Sequence, residues 1–377
     1  MIDATVRSIR SSFAVNVLHR LRATILRSQS SEQNHLISKT LTLAIPDTNL
    51  PKKITIPDLL AQWPFKRSLH HACAEITTDS AEWIQSFSAF DSRQQKSYEK
   101  AATGLLAALT YPSVSQEHAK LAANMLTLFL IAEETTNLLG VQEVREVSAI
   151  IMDALRYPEK PRPDGEPILG RITQSLWLQV KSRSNATAMR RFVENFNDFL
   201  DGLCSEANDR GRAHTRDLQT YMALRRCTIG SQPCFDFLLI LSDLPDTTLN
   251  NGLIKELEML ATDMVILSND ICSWNIEQSR ADEAHNIVTV AMVEKQIPVQ
   301  EAINFAAERF KVCASQFTEI MNSNIHGWEK DLQFYVNGLG AWVTGNHEWN
   351  FENGRYALGV EARRTGIVEV LPRKLHR

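Results

Sequence analysis

Asn269, Ser273 and Glu277 carry side-chain oxygens at positions i, i+4 and i+8. An α-helix turns about 100° per residue, so each step of four drifts only about 40° and the three groups share one face. Such a face suits a hard divalent cation. Mg²⁺ takes oxygen ligands, keeps several waters, and is usually held by one or two carboxylates with substrate phosphate completing the shell. One acid beside two neutral oxygens fits a metal brought in by a phosphorylated substrate. These residue types are also common on exposed helix faces, so spacing alone leaves a solvated polar stripe as the alternative.

Other residues could serve the same chemistry. Glu133 and Glu134 end the apolar run Leu128-Phe129-Leu130-Ile131-Ala132. Adjacent acids there are costly to bury unless paired or metal-bound, and an exposed helix end is the competing reading. Arg225 and Arg226 precede Gly230, and Arg355-Tyr356 lie near the C-terminus. A guanidinium is always charged, and its planar fork matches phosphate oxygens in bidentate fashion. Taken singly, each reads first as a surface arginine or an ordinary salt bridge.

In order, these segments resemble class I terpene synthases, in particular the fungal, basidiomycete-type sesquiterpene synthases. Asn269 to Glu277, continuing through Asp282 to His285-Asn286-Ile287-Val288, is similar to the second metal motif (N/D)DxxSxxxE with its fungal continuation ExxxxDxxHNxV. The resemblance implies that Asn269, Ser273 and Glu277 bind one Mg²⁺. It places Glu133-Glu134-Thr135-Thr136-Asn137 in register with DExxD, with Glu133 one methylene longer than the family aspartate and Asn137 lacking the last charge. Tyr221 to Gly230 resembles YxxLRRxTxG, which implies Arg226 on the diphosphate and Gly230 at a helix break near the reacting carbons. Arg355-Tyr356 resembles the terminal RY pair that donates to the same diphosphate. Ile276 stands where Lys or Arg often precedes the last Glu.

The resemblance runs from Trp63-Pro64-Phe65 to Tyr356. It implies a carbon–oxygen lyase acting on a prenyl diphosphate, farnesyl diphosphate being the expected length, with three Mg²⁺ ions and cyclisation of the allyl cation to a sesquiterpene. Phe129, one turn before Glu133, and Trp342 are the candidate aromatic wall; both also fit plain core. Two other classes stay open: a non-catalytic protein of this fold that binds prenyl diphosphate, and a structural helical protein.

The elements that must position these groups read as helices. Helical pattern is expected near 83–87 and 95–109, ended by Tyr111-Pro112, then over 116–139 up to Gly140. Further helices are expected at 169–182, 186–208, 215–227, 232–242, 250–279, 297–321 and 326–346, with a Pro-rich loop at 157–168. No strand alternation or GxGxxG appears, so the fold expected is all-α, a single helical bundle of the class I terpene synthase type with its site on facing helices. The domain is drawn at 58–360, after an N-terminal extension and lead-in at 1–57 and before a tail at 361–377. Residues 1–30 set five arginines against Asp3; they read as a capping helix, or alternatively an organelle transit segment.

Composition limits the rest. With 377 residues, 44% of them hydrophobic, the chain can bury a sizeable core. A net charge of -4 gives no basic field for nucleic acid or an anionic membrane. No apolar run approaches the roughly 20 residues that cross a bilayer. The six cysteines form no CxxC or Cys/His cluster, which suits free thiols in a reducing compartment. A cytoplasmic monomer or homodimer is expected.

Overall fold

Two helices with no solvent-facing stripe form the centre of the molecule, and they are the two that carry the acidic motifs. In the computed structural model, which describes residues 50–373 apart from Ala213, Leu241, Asp243 and the Arg93 side chain, every residue of 121–132 and 260–275 is buried. A helix apolar on all sides has to sit in the core. The second of these also carries Asp263, Ser268, Asn269, Asp270, Ser273 and Asn275 into the interior, where each polar group needs a partner.

The helices are α1 (Cys73–Gln85), α2 (Ser92–Ala101), α3 (Thr103–Thr110), α4 (Gln116–Thr136), α5 (Val141–Arg156), α6 (Ile168–Lys181), α7 (Ala186–Arg212) and α8 (Leu218–Thr228). They continue as α9 (Ser231–Asp236), α10 (Asp246–Leu249), α11 (Gly252–Arg280), α12 (Ile287–Lys295), α13 (Val299–Asn324), α14 (Lys330–Glu352) and α15 (Gly359–Thr365). α11 packs between α13 and α14, while α4 packs against α1, α3 and α6. The fold is all-α apart from one small antiparallel pair, β1 (Lys53–Thr55) with β2 (Ile367–Glu369), in which Ile54 faces Val368.

Tertiary contacts redraw several of the expected bounds. The single helix expected over 95–109 is split by Ala102, whose φ is 48°. The carbonyls freed there are taken from outside: Trp349 Nε1 donates to Ala101 at 2.8 Å and the Gly354 N–H to Lys100 at 2.9 Å. α4 stops at Thr136 instead of running to 139, with the Thr136 carbonyl accepting from Arg210 at 3.0 Å. Helices α5, α12 and α15 and the strand pair were not anticipated.

The fold is continuous across both of the boundaries drawn from sequence. Residues 53–55 of the lead-in pair with 367–369 of the tail, and α11 itself holds the tail. Asn275 Nδ2 donates to the Glu369 carbonyl at 2.9 Å, its Oδ1 accepts the Leu371 N–H at 2.9 Å, and Gln278 Nε2 donates to the Leu371 carbonyl at 2.7 Å. The arginine-rich stretch 1–30 lies outside the described residues. Among those described, no helix is long and apolar enough to cross a membrane.

Candidate active site

Helix geometry decides what each side of the α11 terminus meets. Asp270 is rotated about 100° from the stripe of Asn269, Ser273 and Glu277, and so faces α8 and α12. Its carboxylate accepts from Tyr221 Oη, from Arg225 Nε and Nη2 at 3.2 and 3.1 Å, and from the Ile287 N–H at 2.9 Å. On the stripe, Asn269 Oδ1 accepts from Arg225 Nη2 at 2.9 Å and its Nδ2 donates to Tyr356 Oη at 2.8 Å. Ser273 is fully buried and Glu277 half-buried. Both accept from Asn286 Nδ2, at 3.3 and 2.9 Å. Burial first, and then the Asp270 carboxylate, push the Glu277 pKa up to about 7 against the hydrogen bonds from Ser273 and Asn286.

α4 presents its acids with fewer partners. Glu133 Oε2 meets Arg355 Nη2 at 3.2 Å, and the glutamate side chain is 43% exposed. Glu134 accepts from Ser97 Oγ of α2 at 3.0 Å. Asn137 is the exposed cap of the helix. Arg355 and Tyr356 follow the end of α14, where Asn353 Oδ1 accepts both of their backbone N–H groups, at 2.7 and 3.0 Å, and turns the pair inward. Burial alone would lower the Arg355 pKa, but Glu133, Tyr356 and Glu134 together outweigh it and hold the group above its usual value. Burial also pushes the Tyr356 phenol up to about 12. Because Tyr356 Oη already accepts from Asn269, its own proton remains to be donated. The Arg355-Tyr356 pair thus ties Glu133 on α4 to Asn269 on α11.

The two adjacent arginines of α8 part company. Arg225 reaches the stripe, whereas Arg226 forms a bidentate pair with Asp263 at 2.7 and 2.8 Å, about two turns before Asn269 on α11. Arg226, expected on diphosphate, is therefore held apart from Arg355 and Tyr356 in this structure. Successive helical residues diverge by about 100°, so one arginine of the pair had to turn away, and sequence order alone could not say which. Arg225, Asp270 and Asn286 stand in the motifs the sequence resembles but were not singled out as site residues; the packing of α8 and α12 on α11 shows what they hold. Ile276 packs its side chain against the core.

Residues 125–316 match the family model described as terpene synthase family 2, C-terminal metal binding. A Delta(6)-protoilludene synthase of Stereum hirsutum is 37% identical over 328 residues, covering 85% of this chain and 89% of that protein. The chain belongs to the terpene synthase family. A Delta(6)-protoilludene synthase of Armillaria ostoyae is 38% identical over 310 residues, 81% of this chain and 90% of that one. In fold, the chain is similar to germacradien-4-ol synthase from Streptomyces citricolor, with a TM-score of 0.66 at 18% identity over 76% of this chain and 98% of that one.

In this terpene synthase the apolar candidates lie one layer further in. Phe129 packs against Phe196 in a tilted contact and edge-to-face against Phe199, at centroid distances of 4.8 and 4.7 Å. Gly230 has φ +70°, and a Cβ there would stand 3.0 Å from the Phe129 ring. The helix break and the ring are thus in direct apposition, which only glycine permits at a left-handed position. Trp342 is buried edge-on to Tyr111 at 5.6 Å and to Phe235 at 6.1 Å. An open groove of about 510 Å³, lined among others by Leu155, Trp177, Met189 and Val193, contains none of these groups. Its cations are already engaged, Arg190 with Glu194 and Asp246, and Arg156 with Asn197.

The family's divalent metal can be tested against the donors present. Among the described residues no cluster of three His, Cys, Asp or Glu could hold an ion unaided. Glu277 instead offers a desolvated carboxylate, its pKa pushed up by burial and by the Asp270 carboxylate, beside the Ser273 hydroxyl and the Asn269 amide. One charge with neutral oxygens fits a hard cation that keeps water and substrate phosphate in its shell.

Proposed function

We propose that the chain ionises a prenyl diphosphate, farnesyl diphosphate in the first instance, and cyclises the resulting cation to a sesquiterpene with release of diphosphate. The observation that carries this reading is the convergence of Arg355, Tyr356 and Glu133 with the Asn269, Ser273 and Glu277 stripe, just outside an aromatic layer. Asn269, Ser273 and Glu277 would hold Mg²⁺ on one side and Glu133 on the other, with three ions as the full complement. Bound magnesium supplies electrostatic stabilisation of the departing diphosphate.

The chain's own residues do the rest. Arg355 and Tyr356 donate to the diphosphate oxygens where charge develops, and aligned donors there cost no reorganisation during reaction. Arg225 holds Asn269 and Asp270 in place, and Arg226 joins the diphosphate only by leaving Asp263. Phe129 and Trp342 wall off water, which would quench the cation, and their ring faces attract positive charge with about 0.5–2 kcal/mol each. Gly230 keeps the broken helix close against Phe129.

The relatives named sesquiterpene synthases favour catalysis. Exposed Asn137 and the Arg226–Asp263 pair favour the second reading, a non-catalytic prenyl diphosphate binder. Incubation of the purified chain with geranyl, farnesyl and geranylgeranyl diphosphates and Mg²⁺, read by volatile analysis, separates the two. A cyclic hydrocarbon from farnesyl diphosphate is expected. Diphosphate binding without turnover of any substrate selects the second reading, and no binding at all removes both.

A further inference from the structure

Asn286 is fully buried at the start of α12, outside the stripe itself. Its Oδ1 accepts the Val288 N–H at 2.9 Å and caps that helix. This acceptor role fixes the orientation of the amide, because a backbone N–H has to face oxygen rather than nitrogen. Nδ2 therefore points the other way, into α11. There it meets the Asp270 carbonyl at 2.8 Å, Glu277 Oε2 at 2.9 Å and Ser273 Oγ at 3.3 Å. Two amide protons serve three oxygens, and two of those oxygens belong to the stripe.

We propose that Asn286 is the positioning residue that sets Ser273 and Glu277 for metal, an inference that rests on the proposed metal role of those two residues. The chemistry of the donor supports it. A lysine or arginine in this position would neutralise Glu277 and compete with a cation, whereas a neutral amide holds one carboxylate oxygen and leaves the charge uncompensated. With Oε2 held, the carboxylate is fixed in one orientation on the stripe. The same donor takes a lone pair of Ser273 Oγ and thereby limits the directions in which the hydroxyl can turn. Glutamate loses much rotamer freedom when it is fixed; Asn286 imposes that loss in the fold, before any ion arrives. Partners of this kind behind metal ligands typically govern affinity by about 10- to 100-fold.

The test compares Asn286→Ser, Asn286→Ala and Glu277→Gln with the wild type. Each is titrated calorimetrically with inorganic diphosphate in the presence of Mg²⁺ and melted without ligand. Serine caps a helix about as well as asparagine, but its hydroxyl is too short to reach Glu277; alanine loses the cap as well. The inference expects Asn286→Ser to weaken diphosphate binding about 10- to 100-fold with little change in melting temperature. It also expects no further loss when Asn286→Ser is added to Glu277→Gln. Binding at wild-type strength in Asn286→Ser overturns the inference, even if Asn286→Ala is too unstable to assay, and leaves the metal role of Glu277 intact. Wild-type binding in Glu277→Gln removes that role, and the inference falls with it.

Discussion

At the end of α11, Asp270 is enclosed by donors from α8 and α12, Asn269 is held by Arg225 and Tyr356, and Ser273 and Glu277 share Asn286. At the end of α4, Glu133 is 43% exposed and meets one guanidinium, while Asn137 faces solvent. The difference bears on which departures a fold tolerates. A buried polar network loses a desolvated partner with every change, so each position is constrained by stability as well as chemistry. Ile276, the departure on α11, packs its side chain on the core, and the two departures in the acidic motif, Glu133 and Asn137, fall at the solvated end of α4, where water replaces a lost partner. These two cost the fold little, whatever they cost the metals.

The largest effect expected is from Glu277→Gln, which removes the one charge of the stripe. Turnover should fall by at least about 10²-fold, the scale on which loss of one preorganised electrostatic group is felt. The ligand-free melting temperature should not fall, because glutamine keeps an oxygen for Asn286 Nδ2 while the desolvated charge disappears. The Glu277 pKa of about 7 adds a pH signature: Mg²⁺-dependent diphosphate binding by the wild type should weaken as pH falls below about 7 and the carboxylate takes up a proton. A folded variant with wild-type product formation would take the α11 stripe out of the mechanism.

The contrast in burial can be tested through the two arginines. Arg225→Met leaves Asp270 buried and unpaired, and should cost about 3–5 kcal/mol in urea unfolding. Arg355→Met leaves only the partly exposed Glu133, and should cost under about 1 kcal/mol while raising the Kd for Mg²⁺-diphosphate. Equal losses of stability from the two variants would mean that the ends of α4 and α11 are equally rigid.

The smallest effect sharpens the comparison at α4. Asn137→Asp restores an acid at an exposed position, where a charge pair is worth about 0.2–1 kcal/mol. The Mg²⁺ concentration for half-maximal rate should therefore drop by no more than about fivefold. Glu133→Asp should retain or raise activity and Glu133→Gln should lose most of it. Unchanged Mg²⁺ dependence across all three variants would place the α4 acids outside the metal site.

Much of this arrangement was legible before any coordinates. The i, i+4, i+8 spacing located the α11 stripe, and the apolar run ending at Ala132 marked α4 as a buried helix. The break at Gly230 was also readable, though its reason, contact with Phe129, was not. The split at Ala102 was invisible because alanine gives no turn signal; the freed carbonyls are answered by Trp349 and Gly354, far along the chain. The tail was drawn outside the domain because nothing local marks Asn275 and Gln278 as its anchors.

The sequence by itself determined which residues share a helical face, since that follows from a fixed rotation per residue, and so it determined the helical fold class and the existence of a polar stripe, though not the burial of the helix that carries it. It could not determine which neighbour each face meets. Arg225 rather than Arg226 at the stripe, Asn286 behind Ser273 and Glu277, and Arg355 on Glu133 are all products of how α8, α12 and the turn after α14 pack around α11. Such pairings depend on the relative rotation and depth of whole helices, set by the summed packing of many apolar side chains, and no local pattern records them.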